Sequence, residues 1–200
     1  KVYFGKYNNN PLLFRVLDAN TTDYSADGTT KTMLLDSEIL FAAKKFNAKT
    51  NDNSWANSDI KAWMQGTESG QLLNQFSTVE QGTIIASNKE KTSATDGATG
   101  NASFAPLMND TVFALDAAEL KNESYGYSNT DSPVTNRIKK LGGNSFWWWT
   151  RSPLVSGNVN YVRYVTTNGQ VGNAGNPNAN EMSVSPAMNL NLSSILYASA

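Results

Sequence analysis

Val2-Tyr3-Phe4-Gly5-Lys6-Tyr7 alternates apolar and polar positions in the manner of a half-buried strand, and Asn8-Asn9-Asn10-Pro11 follows as a turn. Leu12 to Asp18 returns as a second strand, which closes a hairpin. A polar loop from Asn20 to Thr30 leads to Thr32-Met33-Leu34-Leu35-Asp36, a third strand. Three strands before any helix predict an antiparallel sheet.

The period then changes. Ile60, Trp63 and Met64 share the i, i+3, i+4 face of a helix capped by Asn57 or Ser58 and ended by Gly66. Ser77-Thr78-Val79-Glu80 has the spacing of a capping box, and Thr83-Ile84-Ile85 is strand-like. Ser87 to Phe104 is small and polar and reads as one long loop, because Thr111-Val112-Phe113-Ala114-Leu115 after it is too short to start a second core. Asp116 can cap a helix over residues 117–120, and Thr135 to Leu141 is a further short helix before the turn Gly142-Gly143. Ser145–Thr150, Tyr161–Thr166, Gln170-Val171 and Val184–Leu192 complete the chain as strands. The expected architecture is a single α+β domain over residues 1–200, with an antiparallel sheet, its N- and C-terminal strands adjacent, and helices in the middle of the chain.

Composition narrows the chemistry. Charged residues make up 16% of 200 residues, with a net charge of -1, against about 25% in an ordinary domain. Without a clustered basic surface, nucleic acid is not an expected partner. The chain has no His and no Cys, which removes Ser/His/Asp triads, thiolate nucleophiles, disulfides and imidazole or thiolate metal sites. No cofactor is expected, and any catalysis would fall to carboxylates, Lys, Tyr or hydroxyls. A cysteine-free chain suits export, no apolar run reaches the roughly 18 residues of a membrane span, and an opening Lys1 without Met reads as a piece of something longer.

Two segments carry the candidate chemistry. In Phe146-Trp147-Trp148-Trp149-Thr150-Arg151-Ser152-Pro153, successive Trp residues on a strand face alternate sides. Trp148 is expected in the core, with Trp147 or Trp149 available to floor a ligand site; the alternative is an aromatic core plug with Arg151 bonded to backbone. The second segment, Ser156 to Asn180, holds Asn158, Asn160, Tyr161, Arg163, Tyr164, Asn168, Asn173, Asn176 and Asn178. Tyr, Ser, Asn and Gly with an occasional Arg is the composition of adaptable binding surfaces, and also of turns between short strands. Tyr161 and Arg163 share one strand face, Val162 and Tyr164 the other.

Acidic residues are scarce after Asp131, where Glu181 stands alone against Arg137, Lys139, Lys140, Arg151 and Arg163. Paired glycosidase carboxylates therefore cannot both come from the last third, and a calcium cage is poorly supplied there. Asn176-Pro177-Asn178 resembles a calcium-lectin sugar-binding tripeptide, yet no Trp-Asn-Asp follows. Asp18, Asp23, Asp27, Asp36, Asp52, Asp59, Asp96 and Asp110 sit mostly at expected loop or cap positions.

Phe4-Gly5-Lys6-Tyr7, Phe14-Arg15-Val16-Leu17, Leu34-Leu35, Trp55 with Ile60-Lys61-Ala62-Trp63, Phe76-Ser77 with Glu80, Val112-Phe113-Ala114-Leu115, Trp148-Trp149-Thr150-Arg151-Ser152-Pro153, Gly169-Gln170-Val171 and Pro186-Ala187-Met188 together resemble the bacterial surface domain family DUF6273. Ser185 stands where that family's closing block usually has Arg. The resemblance implies a C-type lectin-like fold of the formylglycine-generating-enzyme branch, without that branch's Cys- or His-dependent activities. It also implies kinship with the variable proteins of diversity-generating retroelements, whose Asn-rich C-terminal segments are rewritten. The function expected is non-catalytic recognition of a protein or glycan on another cell or surface, by a domain displayed on a bacterial or phage surface without membrane insertion of its own. A carboxylate-dependent hydrolase of wall or host glycans is the alternative, and a structural adhesin spacer the third reading.

Overall fold

Asn8 and Asn9 both adopt positive φ, 50° and 64°, the backbone of a two-residue hairpin turn whose twist matches its flanking strands. The turn joins β1 (Val2–Tyr7) to β2 (Asn10–Thr21), and β3 (Thr32–Ser37) pairs with β2. The computed structural model describes residues 1–89, 105–156, 159–179 and 181–194. The Ser87–Phe104 loop expected from sequence therefore lies largely outside the described residues, as does Asn158.

The chain continues through β4 (Ala43–Lys45), α1 (Asp59–Gln65), α2 (Thr78–Thr83), β5 (Ile84–Ile85), β6 (Ser87–Lys89), β7 (Leu107–Asp110) and β8 (Val112–Phe113). It then runs through β9 (Lys140–Leu141), β10 (Asn144–Ser145), β11 (Trp148–Ser156), β12 (Val159–Val165), β13 (Val171–Gly175), β14 (Glu181–Ser183) and β15 (Ala187–Asn191). Both helices start where their caps predict. The Ser58 hydroxyl accepts from the Lys61 amide, and Ser77 and Glu80 form the reciprocal capping box. The helices expected after Asp116 and over Thr135–Leu141 are single 3₁₀ turns, Glu119–Lys121 and Thr135–Arg137. Their side chains are committed to tertiary bonds that a continued helix would break.

Two sheets organise the fold. The first has order β1-β2-β3-β15-β5, with β8 also on β15, and the second has order β13-β12-β11-β14-β4. First and last strands share one sheet, but β15 pairs with β3, so β2 and β3 separate it from β1. Strict adjacency of the termini is thus corrected: β3, buried along its whole length, takes the central place because its apolar and hydroxyl residues leave no solvent face and its one charge, Asp36, is paired inside with Lys139. Leu34, Leu35, Val112, Phe113, Met188 and Leu190 from this sheet join Trp148, Trp149, Val162 and Val165 from the second in one buried cluster.

Candidate functional site

β11 explains why a Trp-Trp-x-Arg-Ser-Pro run is useful. It lies between β12 and β14, covered on both faces, so Trp148 and Trp149 point to opposite sides and both are buried. Trp148 donates from Nε1 to the Arg137 carbonyl at 3.3 Å. Trp149 donates to the Lys44 carbonyl at 2.9 Å and packs edge-on against Phe46 and Tyr164, with centroids 5.8 and 6.4 Å away. Between Trp149, paired with Tyr164, and Pro153, paired with Val162, the register slips. Thr150, Arg151 and Ser152 thus bulge opposite Arg163 alone, and all three are buried. The Thr150 hydroxyl closes the bulge on the Arg163 carbonyl at 2.8 Å. Pro153, which has no N–H, follows at the break in the ladder.

The bulge aims Arg151 at a carboxylate pair. Its guanidinium donates to Asp116 Oδ2 at 2.9 Å and to both Glu119 oxygens, at 2.5 and 3.1 Å, and to the Ala105 and Ala114 carbonyls at 3.0 and 2.8 Å. Asp116 and Glu119 cap each other through their amides, at 2.7 and 2.6 Å. Tyr24 Oη and Lys89 Nζ complete the hub on Glu119 Oε1 at 2.6 and 3.0 Å. Burial would raise the Glu119 carboxyl, but the charges of Arg151 and Lys89 outweigh it and hold the group well below the usual carboxylate range. Asp116, buried beside the Glu119 charge, is pushed up.

A second hub joins Asp36 to Lys139, whose ammonium lies 2.6 Å from both carboxylate oxygens and 2.6 Å from Ser185 Oγ. Tyr127 Oη donates to Asp36 Oδ2 at 2.6 Å. Ser185, where the resemblance leads one to expect Arg, therefore sits beside a buried cation that Lys139 supplies. In a third hub, Asp110 takes Lys61 Nζ at 2.6 Å and the Met108 amide at 2.9 Å. Asp36 and Asp110 are thus interior anchors rather than the loop or cap residues expected, because the folded chain brings a lysine to each. Arg137, also buried, spends its guanidinium on five carbonyls, those of Leu120, Ser128, Thr130, Ser132 and Gly169. Much of the positive charge of the last third is consequently internal.

The Asn- and Tyr-rich candidates divide between two faces of the β12–β13 hairpin. Tyr161 pairs with Leu154 and Arg163 with Ala174, while Tyr164 pairs with Trp149 and Asn173. Tyr161 and Arg163 are half-buried on one face, and Arg163 Nη1 donates to the Gly172 carbonyl at 3.2 Å. On the other face Asn160 is exposed, whereas Tyr164 is half-buried and leans on the core. Asn168 and Asn176 serve turns: Asn168 Oδ1 accepts from the Thr166 hydroxyl, and Asn176 Oδ1 from the Asn178 amide at 3.1 Å. Asn173 and Asn178 are half-buried. The hairpin turn docks on the Arg137 loop so closely that a Cβ on Gly169, at φ +82°, would sit 1.9 Å from the Val134 carbonyl oxygen.

Trp149 cannot floor a ligand site, being 0% exposed, whereas Trp147 is 47% exposed. Trp147 precedes the pair Trp148–Val165, so at about 3.3 Å per residue it stands roughly 16 Å along the sheet from Tyr161. Neither tryptophan lies under the Tyr161–Arg163 face. The core-plug reading of the block, with Arg151 bonded to backbone carbonyls, is the one the packing follows. What sequence reasoning missed was the carboxylate half of that plug. Its signal was present in Asp116-x-x-Glu119, a reciprocal cap spacing of the same form as Ser77-x-x-Glu80.

Among the described residues no group of three or more acidic side chains gathers as a metal cage, and no helix is long and apolar enough to cross a membrane. These features define a mixed α+β domain, mostly strands with two short helices, built on two sheets pinned by buried charge hubs. The chain belongs to the family described as a domain of unknown function, DUF6273, whose model matches residues 29–192. No curated protein and no solved structure shows significant similarity to it.

Proposed function

We propose that this domain is a non-catalytic recognition module of a bacterial or phage surface protein, binding a protein or glycan through the Tyr161–Arg163 face of the β12–β13 hairpin. The observation that carries the reading is that Tyr161 and Arg163 stand on one face, half-exposed, with the guanidinium tethered to the neighbouring strand at Gly172. A tethered Arg beside a Tyr loses little side-chain freedom on binding, a property of recognition surfaces rich in these residues. Asn178 adds a polar position at the hairpin's exit, Asn160 and Asn173 lie on the opposite face with Tyr164, and Asn168 and Asn176 hold the turns. The hydrolase alternative is disfavoured by the placement of Asp116 and Glu119, which converge on Arg151 in the interior rather than on a cleft.

A C-type lectin-like fold and a retroelement-diversified Asn-rich segment belong to the same proposal. The shared sheet of the first and last strands supports the former. Support for the latter comes from the position of the segment on an edge hairpin to whose backbone Arg137 and Asn53, both outside the segment, also donate.

The test is an array of glycans and surface proteins probed with the domain and with its Tyr161→Ala/Arg163→Ala version, with and without chelator. Loss of binding by about 30-fold or more is expected, the scale of two anchor residues, and chelator is expected to leave wild-type binding intact. Equal binding by both proteins would remove the site from this face.

A further inference from the structure

Lys139 is the single buried lysine among the described residues. Its Nζ lies 2.6 Å from each oxygen of Asp36, itself fully buried, so amine and carboxyl group are held in direct contact in the interior. The pair is enclosed by side chains rather than by solvent. The Trp148 ring covers the ammonium, with its centroid 4.6 Å from Nζ. Tyr127 Oη donates to Oδ2 at 2.6 Å, and Ser185 Oγ stands 2.6 Å from Nζ and 3.5 Å from Oδ1.

We propose that Lys139 and Asp36 condense to an intramolecular amide, a self-formed cross-link between β3 and the segment leading into β9. The reaction balances with no reagent from outside. Transfer of one proton within the pair converts ammonium and carboxylate to amine and carboxylic acid. Nζ then forms a bond to Cγ while the Tyr127 hydroxyl stabilises the negative charge developing on Oδ2. Ser185 Oγ accepts a proton from Nζ and passes one to Oδ1. The Cγ–Oδ1 bond breaks, Oδ1 leaves as water, and nothing is oxidised or reduced.

Two features of the site favour the step. Burial lowers the pKa of the Lys139 ammonium and outweighs the attraction of Asp36, a shift in the direction that favours the neutral amine. The interior also holds both ions away from water, and the amide would relieve the desolvation of both charges at once. The partners are 103 positions apart, so the bond would close most of the middle of the chain into one covalent loop. This inference concerns the scaffold and stands whether or not the Tyr161–Arg163 face binds a ligand.

The decisive measurement is the intact mass of the purified wild-type protein in denaturant, where an ion pair dissociates and an amide persists. The expected mass is one water below that of the sequence, with a proteolytic fragment pair joined through Asp36 and Lys139. Lys139→Arg, which keeps the charge but not the primary amine, should run at its full sequence mass. Asp36→Asn should lose ammonia in place of water and yield the same joined fragments. A wild-type chain at full sequence mass after folding overturns the proposal, and so does a water loss that maps to any other residue pair. Because the wild-type mass decides, the outcome does not depend on whether either variant folds.

Discussion

Replacing Arg151 by Ala is expected to cost about 3–5 kcal/mol, the penalty for removing one partner of a buried ion pair. Asp116 and Glu119 would keep their positions with their main counter-charge gone, Lys89 being bonded to Glu119 Oε1 at 3.0 Å. Two carbonyls, of Ala105 and Ala114, would lose their donor as well. Against a total stability of about 5–15 kcal/mol, that loss is large enough to lower the urea midpoint by about a fifth or more. A cost below about 1 kcal/mol would mean that the hub does not hold the bulge, and the structural role assigned to the block would fail.

The same hub sets an acid limb. Glu119 is held below its unfolded pKa of about 4.3, so its contribution to stability is complete above that pH and is lost as the pH falls through it toward the depressed folded value. Asp116, raised in the folded state, works in the opposite sense and gains as acid protonates it. Glu119 dominates, because protonating it leaves both Arg151 and Lys89 facing a neutral group. Urea midpoints measured between pH 7 and pH 2 should be level down to about 5 and fall below about 4. In a Glu119→Gln variant that fall should be shallower, and identical slopes would show that the group carries no linkage.

Trp149→Ala carries the other large effect, about 3–5 kcal/mol, while Trp147→Ala two residues earlier is expected to stay within about 0.5 kcal/mol. The contrast follows from burial. Truncating Trp149 removes a fully enclosed ring, opens a cavity against Phe46 and Tyr164, and orphans the Lys44 carbonyl. Trp147 has half its surface in water already. Thermal denaturation of the two variants beside wild type distinguishes them directly, and equal losses would contradict the burial assigned to the two side chains.

The Trp block shows how far sequence reasoning reaches. Alternation along a strand assigns Trp148 and Trp149 to opposite faces, yet it cannot say that both faces are covered. That depends on Phe46 and Arg137 arriving from segments about 100 and 11 residues away along the chain. Likewise the i, i+2 relation of Tyr161 to Arg163 is local, but the tether of Arg163 to Gly172 depends on the register of β12 against β13. Asn168 and Asn176 look like ligand contacts by composition, and their turn roles emerge only once the chain reverses there.

Local interactions were therefore readable from the order of residues alone. These are a hairpin turning within Asn8–Pro11, a helix cap at Asn57 or Ser58, the Ser77–Glu80 capping box, the α+β class, and the absence of His and Cys chemistry. Each depends on neighbours within about four positions or on composition, where propensity and hydrogen-bond geometry act directly. The pairing of Lys139 with Asp36, of Arg151 with Glu119, and the insertion of β15 beside β3 were decided by the tertiary structure. A buried charge is tolerated only opposite a partner, and the partner's identity is a matter of which distant segment the packed core carries to that point.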